Sequence, residues 1–192
     1  MRVHSPVILA SASPRRKELI SLAFSNVTIC PSTAEETIPL SVSAEEVALQ
    51  LSQIKAQDVA DQRKDLPVIG CDTIVISRGA VLTKPRDCED AFRMLKELSG
   101  NEHTVCTGCT VIYQGKSLSF YETTRVRFWN LSDEQIHSYV ATGEPMDKAG
   151  AYGIQSLGSL FVREIQGDYF NVVGLPVSRL YREFRSFLPS SC

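Results

Sequence analysis

Short apolar runs alternate with amphipathic stretches along the chain, and this pattern predicts intermixed strands and helices. Val7-Ile8-Leu9-Ala10 reads as a buried strand. Ser13-Pro14 follows it. A serine can accept from the first helical N–H groups, and proline lacks only an N–H that would be orphaned there, so a helix is predicted from Pro14 to about Ala23. Val27 to Cys30 is a second strand, and Pro31 to Val42 a polar loop. Ser43-Ala44-Glu45-Glu46 is a capping box, opening a helix whose apolar side carries Val47, Leu49, Leu51, Ile54, Ala56 and Val59. Pro67 to Ser77 is the most strand-like stretch. In it Val68-Ile69 and Ile74-Val75-Ile76 surround an interruption, Gly70-Cys71-Asp72-Thr73, and Ser77-Arg78-Gly79-Ala80 reads as a tight turn.

In the second half, Asp87 caps a helix from Cys88 to Leu98, which Gly100 ends. Two longer β segments, near Glu102 to Tyr113 and Ser117 to Trp129, are joined by a turn at Gln114-Gly115. Ser132-Asp133-Glu134-Gln135 is another capping box, with its helix ending at Gly143. Pro145 to Gly158 is glycine-rich and reads as an irregular binding loop. Leu160 to Ile165 is a strand, Gly167-Asp168 a turn, and Pro176 opens a last helix to about Phe187. No internal repeat is visible. The expected class is α/β or mixed α+β, one mixed sheet flanked by helices, as a single domain over residues 1–192.

Composition narrows the partners. With 43% hydrophobic and 22% charged residues, a core can form without disulfides or a structural metal. The 20 basic residues do not exceed the 22 acidic ones, so nothing neutralises a nucleic-acid backbone and no nucleic-acid partner is expected. Any phosphate site must be a local cluster. The apolar run Pro6 to Ala10 is too short for a signal-peptide core or a bilayer span, so no membrane partner and a cytoplasmic location are expected. Several of the six cysteines sit in apolar runs, as buried thiols do. Cys106 and Cys109, with His103 nearby, form a lone CxxC. Residues three apart on a strand face opposite sides and no second pair exists, so no zinc site is expected.

Two segments carry candidate chemistry. Asp72 lies among Val, Ile and Gly in a strand-like stretch, where an ionised carboxylate is costly unless paired, hydrogen-bonded or metal-bound. It reads equally as a structural cap and as a catalytic or metal-binding group. Ser11-Ala12-Ser13-Pro14-Arg15-Arg16-Lys17 leads from a strand through small residues into a helix start, where free N–H groups attract phosphate. Arg15 and Arg16 can grip phosphate oxygens, and cations at a helix N-terminus oppose its dipole, which argues against a purely structural reason for them. Taken alone, Lys55 and Lys84 read as ordinary lysines, and Glu35-Glu36 as solvated charge.

Four ordered segments together resemble the Maf family of nucleoside triphosphate pyrophosphatases. They are LASASPRRKELI (Leu9 to Ile20), VIGCDTIV (Val68 to Val75), LTKPRDCEDAFRMLKELSGNEHTVCTG (Leu82 to Gly108), and GEPMDKAGAYGIQSLGSLFV with GDYFNVVGLP (Gly143 to Pro176). The resemblance implies an elongated mixed sheet with a central cleft, similar to inosine triphosphate pyrophosphatases. It implies a divalent metal cation, Mg2+ or Mn2+, a nucleoside triphosphate substrate and a homodimer. By position, Asp72 resembles the family's proton acceptor, and Ser11, Arg15, Arg16, Glu36, Lys55, Lys84 and Gln155 fall where members line the nucleotide site. Arg15, Thr73 and Gln155 match the dTTP/UTP-type subgroup rather than the 7-methyl-GTP type. Cys71 stands where alanine is common, and Thr83 where glycine or glutamate is usual.

The expected reaction is metal-dependent hydrolysis of a pyrimidine nucleoside triphosphate to monophosphate and pyrophosphate, which would sanitise the nucleotide pool. Asp72 and Glu36 would hold the cation, and Asp72 would activate a water. Gln155 offers an amide donor and acceptor to uracil or thymine, which leaves UTP, dTTP, CTP and modified pyrimidines unseparated. Two alternatives use the same residues: a non-catalytic nucleotide-binding regulator of cell division, and the same chemistry on 7-methyl-GTP.

Overall fold

The computed structural model describes residues 2–35 and 42–188. In chain order the strands are β1 (Val7–Leu9), β2 (Val27–Ile29), β3 (Val68–Ser77), β4 (Ala80–Leu82), β5 (Glu102–Tyr113), β6 (Lys116–Phe128) and β7 (Val162–Gln166). The helices are α1 (Pro14–Ala23), α2 (Ala44–Gln62), α3 (Cys88–Leu98), α4 (Asp133–Val140), α5 (Tyr169–Val173) and α6 (Val177–Phe187). The strands form one seven-stranded sheet, ordered β2-β1-β3-β5-β6-β7, with β4 on β3. β1 pairs parallel with β2 and β3, whereas β3–β4 and β6–β7 are antiparallel, so the expected mixed sheet with helices is present. β3 runs unbroken through Gly70-Cys71-Asp72-Thr73, where the sequence reads as interrupted.

Two compact units divide the chain. The first holds the described residues up to Asp72, Thr107–Glu122 and those from Gly174 onward. Its strands form where Val7, Ile8, Leu9, Val68 and Ile69, all fully buried, supply continuous apolar surface. Ile8, Ala10, Val59 and Val68 pack as one cluster that Cys30, Ala60 and Leu66 border. Phe24, after α1, meets Phe184 of α6 edge to face at 4.9 Å.

The second unit comprises Thr73–Cys106 and Thr123–Val173. The turn from β3 to β4 uses Arg78 and Gly79 at φ 49° and 80°, the twisted geometry a two-residue hairpin needs. Between α4 and β7 the chain makes three 3-10 turns, Glu144–Asp147, Ala149–Ala151 and Leu157–Phe161. The last replaces the first residues of the strand expected from Leu160.

An aromatic group anchors this unit. His103 lies edge-on to Phe128 and Tyr152, with centroids 4.9 and 5.4 Å away, and its Nε2 meets the Tyr152 hydroxyl at 2.9 Å. It is a core histidine, buried among these rings. Burial pushes its imidazole down to about 4. The unfolded chain therefore binds a proton near pH 6.5 that the folded chain refuses until about pH 4. The resulting stability is complete above the unfolded value and is lost as pH falls between the two. Acidifying from pH 7 to 5 is expected to remove about 2 kcal/mol through this group. Urea unfolding of the protein and of His103→Phe across that range would check it: the variant's stability should depend less on pH.

Candidate active site

The site begins with strand order. The chain leaves β1 through α1 to reach β2 on one side, then returns through α2 to β3 on the other. A reversal of this kind leaves a crevice beyond the carboxyl end of the middle strand, a usual ligand position in open α/β sheets. The register pairs Leu9 with Ile69, and Ala10 donates its N–H to the Ile69 carbonyl at 2.8 Å. β1 then stops, while β3 continues. Asp72 is therefore carried just past the point where the chain turns off toward α1.

A glycine beside it decides what Asp72 meets. Gly70 shares the Asp72 face of β3. A Cβ there would stand 2.4 Å from the Ser52 carbonyl oxygen and 2.6 Å from the Ala56 nitrogen. A Cβ on Gly108 of β5 would stand 2.2 Å from the Ala48 carbonyl oxygen. Helix α2 thus lies on the sheet at backbone distance, through the small, fully buried residues Ala48, Ser52 and Ala56. Ser52 shares a hydrogen bond with Thr110 of β5 at 2.8 Å. This seating brings Lys55 against Asp72, and its ammonium donates to Oδ1. Both side chains are largely covered, at 15% and 11% exposure, where a charge needs an opposite charge or hydrogen bonds to offset lost hydration.

The opposite face of β3 holds Cys71, whose Sγ lies 3.6 Å from that of Cys109. Burial pushes the Cys109 thiol well up, which keeps it protonated. Cys71 therefore packs behind the carboxylate rather than beside it.

Helix α1 supplies the remaining groups of this unit. Ser13 caps it by accepting from the Arg16 N–H at 3.5 Å, and its first turn holds no acidic residue. Ser11 Oγ accepts from the Ser13 N–H at 3.2 Å and from Arg16 Nη1 at 3.4 Å. Arg16 Nε donates to the Gly174 carbonyl at 2.9 Å, which ties the guanidinium to the turn before α6. Arg16, Lys55 and Asp72 all lie near enough to act electrostatically on the Cys71 thiol. Arg15 is half-buried on the same helix.

Thr73, Lys84 and Gln155 lie in the second unit, with Lys84 and Gln155 exposed. The Thr83 carbonyl accepts from the Gly150 N–H at 3.1 Å, which ties the Lys84 segment to the glycine-rich stretch. Glu36 lies outside the described residues. Two residues not singled out by the sequence organise the Gln155 segment, Tyr139 and Glu144. Burial opposes the Glu144 charge, but hydrogen bonds from Ser156, Tyr139 and the Gly158 N–H outweigh it and hold the carboxyl below its usual range.

Among the described residues no group of three His, Cys, Asp or Glu side chains could cage a metal. A dedicated protein cage is not what Mg2+ needs beside a triphosphate: one or two carboxylates suffice, with water and phosphate oxygens completing the shell. Asp72 fits that donor set.

A family model described as Maf-like protein matches residues 6–187. The dTTP/UTP pyrophosphatase of Halalkalibacterium halodurans is 49% identical over 180 residues, which cover 94% of this chain and 95% of that one. The dTTP/UTP pyrophosphatase of Bacillus thuringiensis subsp. konkukian is 50% identical over 181 residues, 94% and 95% of the two chains. The Ham1 protein of Staphylococcus aureus aligns over 64% of this chain and 71% of its own at 13% identity, with a TM-score of 0.48. A match over nearly the whole length, joined to relatives at about half identity, shows that the chain belongs to the Maf-like family.

Proposed function

We propose that this chain hydrolyses pyrimidine nucleoside triphosphates, dTTP and UTP foremost, to the monophosphate and pyrophosphate, and so sanitises the nucleotide pool. The observation that carries the reading is the covered Lys55–Asp72 pair beyond the end of β1, in one unit with Ser11 and Arg16. Relatives of about half identity bear that activity in their names. Asp72 would accept a proton from water as its oxygen bonds to the α-phosphorus. The bond from that phosphorus to the bridging oxygen would break, releasing pyrophosphate. Lys55, Arg15, Arg16 and Lys84 supply positive charge for the phosphates, and Ser11 a hydroxyl, which suits a reaction governed by positioning and electrostatics. Thr73 and Gln155 would read the base, together with Arg15.

A divalent cation, Mg2+ or Mn2+, held by Asp72 and by Glu36, would neutralise phosphate charge when bound. Among the described residues no helix is long and apolar enough to cross a membrane, and a cytoplasmic homodimer is the proposed working form.

A panel of nucleoside triphosphates tests the reading, with pyrophosphate release followed in Mg2+ and then in excess chelator. Turnover of dTTP and UTP above the purine nucleotides is expected, with a loss of at least about 100-fold on chelation that added Mg2+ restores. Preference for 7-methyl-GTP, or turnover indifferent to chelator, would overturn the base or the metal assignment respectively. Gln155→Glu, which loses the amide donor, is expected to lower the UTP preference by about tenfold.

A further inference from the structure

Gln155 sits in a pinched segment. A Cβ on Gly158 would stand 2.7 Å from the Gly153 carbonyl oxygen and 2.8 Å from the Tyr139 hydroxyl, and one on Gly153 would stand 2.5 Å from Lys148 Cε. The chain therefore folds back on itself between these glycines, and Gln155 is exposed between them. Two side chains tie the fold-back. The Tyr139 hydroxyl, from the covered face of α4, accepts from the Gly153 N–H at 3.1 Å and donates to Glu144 Oε1 at 2.8 Å. That carboxylate oxygen also accepts from Ser156 Oγ at 2.6 Å and from the Gly158 N–H at 3.3 Å. One oxygen thus links the chain before Gln155 to the chain after it.

The tie is itself anchored. Lys148 Nζ donates to the Glu144 main-chain carbonyl at 2.6 Å, and the Tyr139 ring packs edge-on to Phe161 with centroids 4.9 Å apart. Tyr139 is 4% exposed, so its hydroxyl depends on these partners rather than on water. All these residues lie in the second unit.

We propose that Glu144 and Tyr139 are positioning residues for base selection, fixing the main chain on both sides of Gln155 so that its amide meets the base edge in one orientation. The inference rests on the reading of Gln155 as a base-contacting residue. An amide separates uracil from cytosine only if its donor and acceptor ends stay in place, because a flipped amide fits the other base. Loosening the tie would therefore erode that choice and weaken binding, while the Asp72 chemistry keeps its rate.

The test compares kcat and KM for UTP and CTP in the full chain and in Tyr139→Phe, Glu144→Ala, Glu144→Gln and Gln155→Glu. Tyr139→Phe keeps the packed ring and loses only the hydroxyl, so it carries the test if Glu144→Ala does not fold. Tyr139→Phe and Glu144→Ala are expected to raise the KM for UTP and to reduce the UTP-to-CTP preference by about tenfold, with kcat little changed. Glu144→Gln retains a carbonyl acceptor and should recover most of the preference. If Gln155→Glu shifts the preference but folded Tyr139→Phe does not, the tie is structural only and the inference falls. If Gln155→Glu shifts nothing, the base-reading role of Gln155 itself falls.

Discussion

Asp72→Asn should lower kcat for nucleotide hydrolysis by about 10³-fold, the size expected when a general base is lost from a positioned water. Asparagine keeps the shape but cannot accept the proton. The same change removes one of the two carboxylates proposed to hold the cation, so the Mg2+ concentration for half-maximal rate should rise. A fall in kcat that persists at saturating Mg2+ thus separates lost proton transfer from weakened cation binding. Steady-state pyrophosphate release, with folding checked by circular dichroism, measures it. A variant retaining more than about a tenth of the parent kcat would contradict a base role.

Gly70→Ala should have the largest effect on stability. The added carbon would fall 2.4 Å from the Ser52 carbonyl oxygen and 2.6 Å from the Ala56 nitrogen, both backbone atoms that no rotamer change can move. Helix α2 must shift outward, at a cost of about 1–3 kcal/mol or somewhat more. For a chain of this size Tm should fall by about 5–10 °C. Because α2 carries Lys55, activity measured well below Tm should fall too, beyond the folded fraction lost. Gly108→Ala, 2.2 Å from the Ala48 carbonyl oxygen, should behave alike. Calorimetry with a parallel assay checks both. An unchanged Tm in either variant would mean that α2 does not sit at backbone distance on the sheet.

What could be read in advance follows from how local each signal is. Ser13, Ser43, Asp87 and Ser132 all cap the helices expected of them, because a cap involves residues within one turn of one another. The continuity of β3 could not be read this way. Glycine and aspartate are poor strand formers, yet Gly70 is needed under α2 and Asp72 finds Lys55, so tertiary contacts override propensity. β4 and α5, with three and five residues, are too short to show a period. Lys55 reads as an ordinary lysine because its partner lies on another element. The spacing of Ala48, Ser52 and Ala56, one small residue per helical turn, was the available clue that α2 packs closely. Nothing local marks Tyr139 and Glu144, whose role arises only when residues up to fourteen positions apart converge.

The chemistry is tested most directly by hydrolysing UTP with the full chain and Mg2+ in 18O-labelled water, then weighing the products. Attack on the α-phosphorus predicts one labelled oxygen in UMP and unlabelled pyrophosphate. Label in the pyrophosphate, release of inorganic phosphate with UDP, or no turnover by folded protein would contradict it.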